Sequence, residues 1–151
     1  MGSWLGIDHG TKRIGVAVGD TLTGIASPVE IITDSTELMA LERIAALAGE
    51  YGVDGVVFGW PLNMDSTEGD QGKIVREFAK TLVDRTGLDV RLWDERLSSF
   101  AADQALAGTF TRKKRKARQD AIAASYILQD FFRSHGPTNA PQPHEAQAEQ
   151  E

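Results

Sequence analysis

The 151-residue chain contains no cysteine. That excludes disulfides and thiolate-held metals and fits a cytoplasmic protein. No apolar run approaches the ~18 residues a membrane helix needs. The N-terminus opens on strand-like sequence, with no basic-then-apolar leader, so no secretory signal is expected. Histidine is scarce: His9, His135 and His144 stand at no metal-binding spacing. Cations are also in deficit, 16 Lys and Arg against 22 Asp and Glu, for a net charge of −6. What is present, 41% hydrophobic and 25% charged residues, is the composition of an ordinary globular domain. One domain of this length buries roughly 70% of its unfolded surface.

The charge deficit alone argues against a nucleic-acid partner, but its distribution reverses that impression. Residues 1–111 carry 9 basic and 17 acidic side chains. The stretch Arg112-Lys-Lys-Arg-Lys-Ala-Arg118 carries 6 basic and no acidic ones. Residues 119–151 carry 1 and 5. One dense basic patch on an acidic body reads as an anion-contacting surface; a solvated basic loop is the plainer alternative.

The N-terminal stretch Trp4–Asp20 organises the rest. Two apolar runs, Trp4–Ile7 and Ile14–Val18, flank a polar turn with Gly10 as its breaker, and this pattern predicts a β-hairpin. Gly24–Thr33 predicts a third strand, confined to an edge by Pro28. Asp34 with Glu37 resembles a capping box for a helix ending near Glu50, before Gly52. Val53–Gly59 reads as a buried parallel strand. Trp60–Gly72 is a long polar loop, Lys73–Thr86 a helix, and Leu88–Trp93 a strand. A short helix capped by Ser98 or Ser99 reaches Leu106, Gly108–Thr111 is a break, and the last helix covers about Lys116–Phe132. The Pro-, Gln- and Glu-rich tail 136–151 is expected to be disordered, leaving 1–135 as the folded domain. This order predicts an α/β fold: a mixed five-stranded sheet with helices on both faces, made of an antiparallel three-strand meander and two parallel strands.

Three acids are misplaced for a purely structural role. Asp8 ends one apolar strand, and Asp94-Glu95 end another, where α/β sites form. Asp120 falls on the helical stripe of Ala124, Ile127, Leu128 and Phe131. A carboxylate on such a stripe is costly unless paired or bound to a cation. Each also has a structural role open to it: Asp8 on turn amides, Glu95 with Arg96, Asp120 as a cap. Together they suggest an all-oxygen site, suited to Mg²⁺ or Mn²⁺ rather than zinc. The turn Gly10-Thr11-Lys12-Arg13 offers amides, a hydroxyl and cations to a phosphate, or is a plain turn. It matches neither the Walker loop nor the Rossmann glycine pattern.

Four segments in order resemble the YqgF/RuvX family of Holliday-junction-resolvase-like nucleases, which have the RNase H-like fold. They are Leu5–Ala17, Gly59–Gly69, Asp94–Ser99, and Lys113–Ala124 with Ile127–Gln129; the resemblance spans about residues 3–133. It implies a catalytic and metal-binding trio of Asp8, Glu95 and Asp120, and a substrate loop around Pro61–Gly69. Successive strand residues face opposite ways, so Asp94 and Glu95 do not easily both serve as ligands; Glu95 is preferred on family grounds. Departures are His9, Trp60, and Ser66 where glycine is common.

The resemblance implies a two-metal phosphodiesterase, with two ions about 4 Å apart bridged by Asp8. Lys12, Arg13, Lys113, Lys114, Arg115, Lys116 and Arg118 would hold backbone phosphates. Thr11 and Asn63 would bond phosphate or sugar, and Arg96, beside Glu95, joins the substrate-binding set. The resemblance points to the 5′ end of the small-subunit ribosomal RNA precursor or to branched DNA. A junction substrate would favour a homodimer. Two alternatives stay open at this point: a silent nucleic-acid or ribosome-associated binding module, and a nucleotide-binding domain of the actin/sugar-kinase type.

Overall fold

The computed structural model describes residues 2–95 and 112–144, and for residues 112–121 the backbone alone. Alternating small and branched apolar residues form β1 (Ser3–His9) and β2 (Arg13–Asp20), closed by a Gly10 N–H to Arg13 carbonyl bond of 2.9 Å. The chain continues through β3 (Ala26–Thr33), α1 (Glu37–Tyr51), β4 (Gly55–Trp60), α2 (Asp70–Thr86), β5 (Asp89–Asp94), α3 (Arg112–Arg133) and α4 (Gly136–Asn139). The sheet order is β3-β2-β1-β4-β5. The first three strands pair antiparallel; β4 and β5 join β1 in parallel. This is the expected mixed sheet. Pro28 lies on edge strand β3, where the register slips between Val16 and Ala17, so its missing N–H costs no ladder bond inside the sheet.

Each face has its own core. Leu5, Ile7, Val16, Phe58 and Leu92 pack with α1 and α2 residues such as Ile44, Phe78 and Leu82. Trp4, Ala17 and Val57 pack with Ala124, Ile127, Leu128 and Phe131 of α3. β4 is buried at all six positions, as a central strand covered on both faces must be. Helix α3 runs opposite to β1: Phe131 packs against Trp4 with ring centroids 5.0 Å apart and tilted by 59°, and Ala124 lies over Gly6. A Cβ at Gly6 would sit 2.8 Å from the Ala124 carbonyl oxygen, so glycine sets how closely α3 lies on the sheet.

Several boundaries differ from the sequence reading. Thr36, not Asp34, caps α1: its Oγ1 accepts from the Met39 N–H at 3.1 Å. Asp34 instead makes the preceding turn at φ 51°. Helix α2 begins at Asp70, three residues before the expected start. The basic run belongs to α3 rather than preceding it. The expected short helix at 98–106 and the break at 108–111 lie outside the described residues. The disordered tail is corrected for residues 136–144. Leu92 N–H donates to the Pro141 carbonyl at 2.9 Å, Arg91 Nη1 donates to the Ala140 carbonyl at 2.7 Å, and Ala140 is buried. This strap covers the free edge of β5, and its bonds are to backbone carbonyls that any sequence carries. Residues 145–151 lie outside the described residues.

The close approach at Gly6 is testable against a neutral glycine. Gly6→Ala is expected to lower stability by about 1–3 kcal/mol, the cost of overpacking. Gly49→Ala, in α1 where a Cβ meets nothing within 4 Å, is expected to keep or raise it. Thermal denaturation distinguishes the two; equal effects would contradict the packing described.

Candidate active site

Two carboxylates meet at the carboxyl ends of the parallel strands. Asp8 stands opposite Gly15 on β1, two residues beyond Gly6 and therefore on the same α3-facing side. Glu95 follows directly on β5 and reaches back over β4. A Cβ at Gly59 would lie 2.5 Å from Glu95 Oε1 and 2.6 Å from Ile127 Cδ1. The absent side chain of Gly59 is the space in which the Glu95 carboxylate sits. Glu95 is hydrogen-bonded to Asp8 there. Burial pushes the Glu95 carboxyl above its ordinary range; the Asp8 hydrogen bond opposes the rise and the Asp94 charge adds to it. Two carboxyl groups in such contact must share a proton or a cation.

Asp94 is sent elsewhere. It pairs in register with Trp60, which belongs to the α1/α2 side of the sheet. Strand alternation thus separates Asp94 from the Asp8–Glu95 pair, as expected. The backbone places Asp120 on α3 one turn before Ala124, the residue above Gly6. It is thus level with the end of β1, while its side chain lies outside the described residues. Among the described residues no group of three His, Asp or Glu gathers as a metal site.

The hairpin turn borders a cavity of 160 Å³ lined by Thr11, Lys12, Arg13, and Ser35 and Thr36 at the start of α1. Thr11 and Lys12 are exposed, and Arg13 is half-buried. His9 closes the floor with its ring 4.6 Å from Phe78, on the face opposite Asp8. Its Nδ1 is buried without a hydrogen-bond partner among the described residues, and burial lowers its pKa. Gln71 Nε2 donates to the His9 carbonyl at 2.9 Å, fastening α2 to the end of β1.

The loop after β4 is built rather than loose. Leu62 bridges Glu68, and Asn63 N–H donates to the Thr67 carbonyl at 2.8 Å. Asn63 Nδ2 donates to Thr67 Oγ1 at 2.8 Å, so this candidate substrate contact also shapes the loop. Ser66 adopts φ 72°, the left-handed conformation that explains why glycine suits the position. Glu68 anchors the loop: Arg76 grips both its oxygens at 2.8 and 2.9 Å, and Trp60 Nε1 donates to it at 3.1 Å. The Arg76 guanidinium holds the Glu68 carboxyl below its usual range. Sequence reading missed Glu68, Gln71 and Arg76, because only tertiary folding brings the loop, α2 and β1 together. Arg96 lies outside the described residues. Lys113, Lys114, Arg115, Lys116 and Arg118 are placed by backbone only, in the first two turns of α3. No acid occupies that first turn. Cations at a helix N-terminus oppose the macrodipole, so helix stability does not account for them.

The raised Glu95 pKa has a stability consequence. The folded state binds this proton more tightly than the unfolded state. The contribution is therefore full below the ordinary value of 4.5 and is lost as pH rises from there through the folded pKa. In metal-free protein, Glu95→Gln is expected to raise the melting temperature by a few degrees at pH 8 and to change it little at pH 4. A loss of stability at pH 8 in the variant would contradict the assignment.

Comparison with known proteins follows the same outline. Residues 2–134 match the family RuvX, described as Holliday junction resolvase. A protein of Geobacillus kaustophilus is 45% identical over 133 residues, covering 86% of this chain and 96% of its own. One of Agathobacter rectalis is 44% identical over 132 residues, covering 85% and 92%. Both carry the name "Putative pre-16S rRNA nuclease". Among solved structures, Thermus thermophilus RuvC in complex with a Holliday junction superposes with a TM-score of 0.60 at 14% identity, covering 92% of this chain and 98% of that one. The fowlpox virus Holliday junction resolvase gives 0.51 at 15% identity, covering 87% and 99%. At such identities these two show a shared fold. With one family matched from residue 2 to residue 134 and relatives above 40% identity, this chain belongs to the RuvX family of nucleases.

Proposed function

We propose that the chain is a divalent-metal-dependent nuclease that hydrolyses phosphodiester bonds at Asp8, Glu95 and Asp120. The observation carrying this reading is the hydrogen-bonded contact of Asp8 and Glu95 over the bare position of Gly59. A half-buried, all-oxygen carboxylate pair fits a hard cation, which relieves the repulsion that a shared proton otherwise relieves. Asp120, one turn from the contact of α3 with Gly6, is the third ligand in this reading. When bound, Mg²⁺ or Mn²⁺, read here as two ions, lowers the pKa of a water and stabilises the departing oxygen. The chain's own residues do the rest. Asp8 and Glu95, fixed at strand ends, would release their shared proton to solvent and turn their oxygens to the cation. Lys12, Arg13 and Thr11 flank the phosphate side. The anchored 61–69 loop, with Asn63, and Arg96 border the substrate, and the α3 run of Lys113, Lys114, Arg115, Lys116 and Arg118 holds the backbone electrostatically.

The names of the relatives favour a precursor of the small-subunit ribosomal RNA as substrate; the family description keeps branched DNA as the second candidate. A junction resolvase needs two sites related by symmetry, so a homodimer belongs to the DNA reading and a monomer suffices for RNA. No helix among the described residues is long and apolar enough to cross a membrane.

A Mn²⁺ cleavage panel of four-way-junction DNA, single-stranded DNA and structured and single-stranded RNA tests the proposal. Cleavage is expected in the wild type. Asp8→Asn and Asp120→Asn should each lower the rate by at least a hundredfold and leave salt-sensitive binding in place. Full activity in either purified variant would overturn it.

A further inference from the structure

We infer that Gln71 is a positioning residue for Asp8: its side-chain amide replaces the strand pairing that β4 gives up beside Asp8, and so sets how far the end of β1 stands from β4. The consequence for cation binding rests on the nuclease reading above. Strands β1 and β4 pair from Trp4–Gly55 to Ile7–Phe58 and then part. β4 continues with β5 through Gly59 and Trp60, while β1 continues with β2 through Asp8 and His9. The gap between the two strands therefore opens at the carboxylate pair. Asp8 stands on one bank, and Gly59, over which Glu95 sits, stands on the other.

The hairpin fixes which way the end of β1 points its backbone groups. The Gly10 N–H donates to the Arg13 carbonyl, which makes those two residues a hydrogen-bonded pair. Such pairs alternate along an antiparallel ladder. His9, the next residue back and opposite Ile14, therefore turns its N–H and C=O away from β2 and toward β4. The β1–β4 ladder has already ended at Ile7. Gln71 Nε2 takes the His9 carbonyl instead, at 2.9 Å across 62 residues of sequence.

The donor is itself held from the β4 side. Gln71 is the second residue of α2. Trp60, the last residue of β4, donates its indole N–H to the Gly72 carbonyl at 3.3 Å and to Glu68 at 3.1 Å. A Cβ at Gly72 would lie 2.9 Å from the Pro61 carbonyl oxygen, so this turn packs closely on the chain leaving β4. The strands that part are thus rejoined through the first turn of α2, by Trp60 on one side and Gln71 on the other. His9 also meets α2 through its ring, 4.6 Å from Phe78. That packing is non-directional, whereas the amide bond orients the peptide at the end of β1. Reacting groups misplaced by about 1 Å lose about a hundredfold in rate, so a strand end that carries a ligand needs such a tether. Gln71 acts on Asp8 through the backbone.

The test compares Gln71→Met, which keeps the side-chain length and loses the donor, with Ile44→Val, a buried truncation in α1 that lowers stability away from the site. Three quantities are read on the full metal-free chain: Mn²⁺ affinity by calorimetry, melting temperature, and exchange of the Gly10 amide by NMR. Gln71→Met is expected to weaken Mn²⁺ binding about tenfold or more and to speed Gly10 exchange by a similar factor. Its melting temperature should be no lower than that of Ile44→Val, which should leave Mn²⁺ affinity and Gly10 exchange at their wild-type values. Unchanged Mn²⁺ affinity in Gln71→Met, or an equal loss in Ile44→Val, would overturn the inference. If the wild type binds no Mn²⁺, the nuclease reading falls and Gly10 exchange decides alone: faster exchange in Gln71→Met upholds the tether, and unchanged exchange overturns it. If Asp8→Asn abolishes Mn²⁺ binding and Gln71→Met leaves it intact, the nuclease reading stands and the positioning role falls.

Discussion

The structure turns on two carboxyl groups brought into contact, one of them pushed by burial above its ordinary pKa. Asp8 and Glu95 are carried by different strands into hydrogen-bond contact, both half-buried. Each feature around them either creates that contact or keeps it close. Gly59 removes the side chain that would fill Glu95's place, and Gly6 lets α3 lie against the sheet. The parallel register of β1, β4 and β5 brings the strand ends level.

The surroundings of the pair are anchored by side-chain hydrogen bonds. Glu68, gripped by Arg76 and Trp60, converts the loop after β4 into a fixed wall. Gln71 ties the start of α2 to the end of β1. The hairpin turn carries Lys12 and Arg13, and the first turns of α3 carry a basic run where a helix's own dipole disfavours it. The fold resembles that of RuvC-type resolvases, and fold likeness alone carries no substrate. The choice between RNA and branched DNA rests on how many chains act together and on which nucleotides fit beside the carboxylates.

Much of this was legible in the sequence because the signals were periodic. Alternation and turn residues outlined the five strands, and acids at the ends of apolar runs marked Asp8 and the Asp94-Glu95 pair, of which the family resemblance chose Glu95. The separation of Asp94 from Glu95 followed from strand alternation alone. What escaped was tertiary or backbone-borne. Asp34, Ser35 and Thr36 are all good caps, and local sequence does not rank them. The Glu68–Arg76 grip joins a loop to a helix eight residues on, at no standard spacing. The strap was misread because its composition is polar and proline-rich, whereas its contact with β5 is made by main-chain carbonyls. Composition measures side chains to bury; it does not register an edge strand in need of a cover.

The central claim is that Asp8 and Glu95 exchange a shared proton for a cation. Calorimetric titration of Mn²⁺ into the metal-free chain, in buffers of differing ionisation enthalpy, tests it most directly. The account predicts proton release on binding, affinity that rises with pH, and loss of both in Asp8→Asn. Binding without proton release, or binding that survives intact in Asp8→Asn, would contradict it.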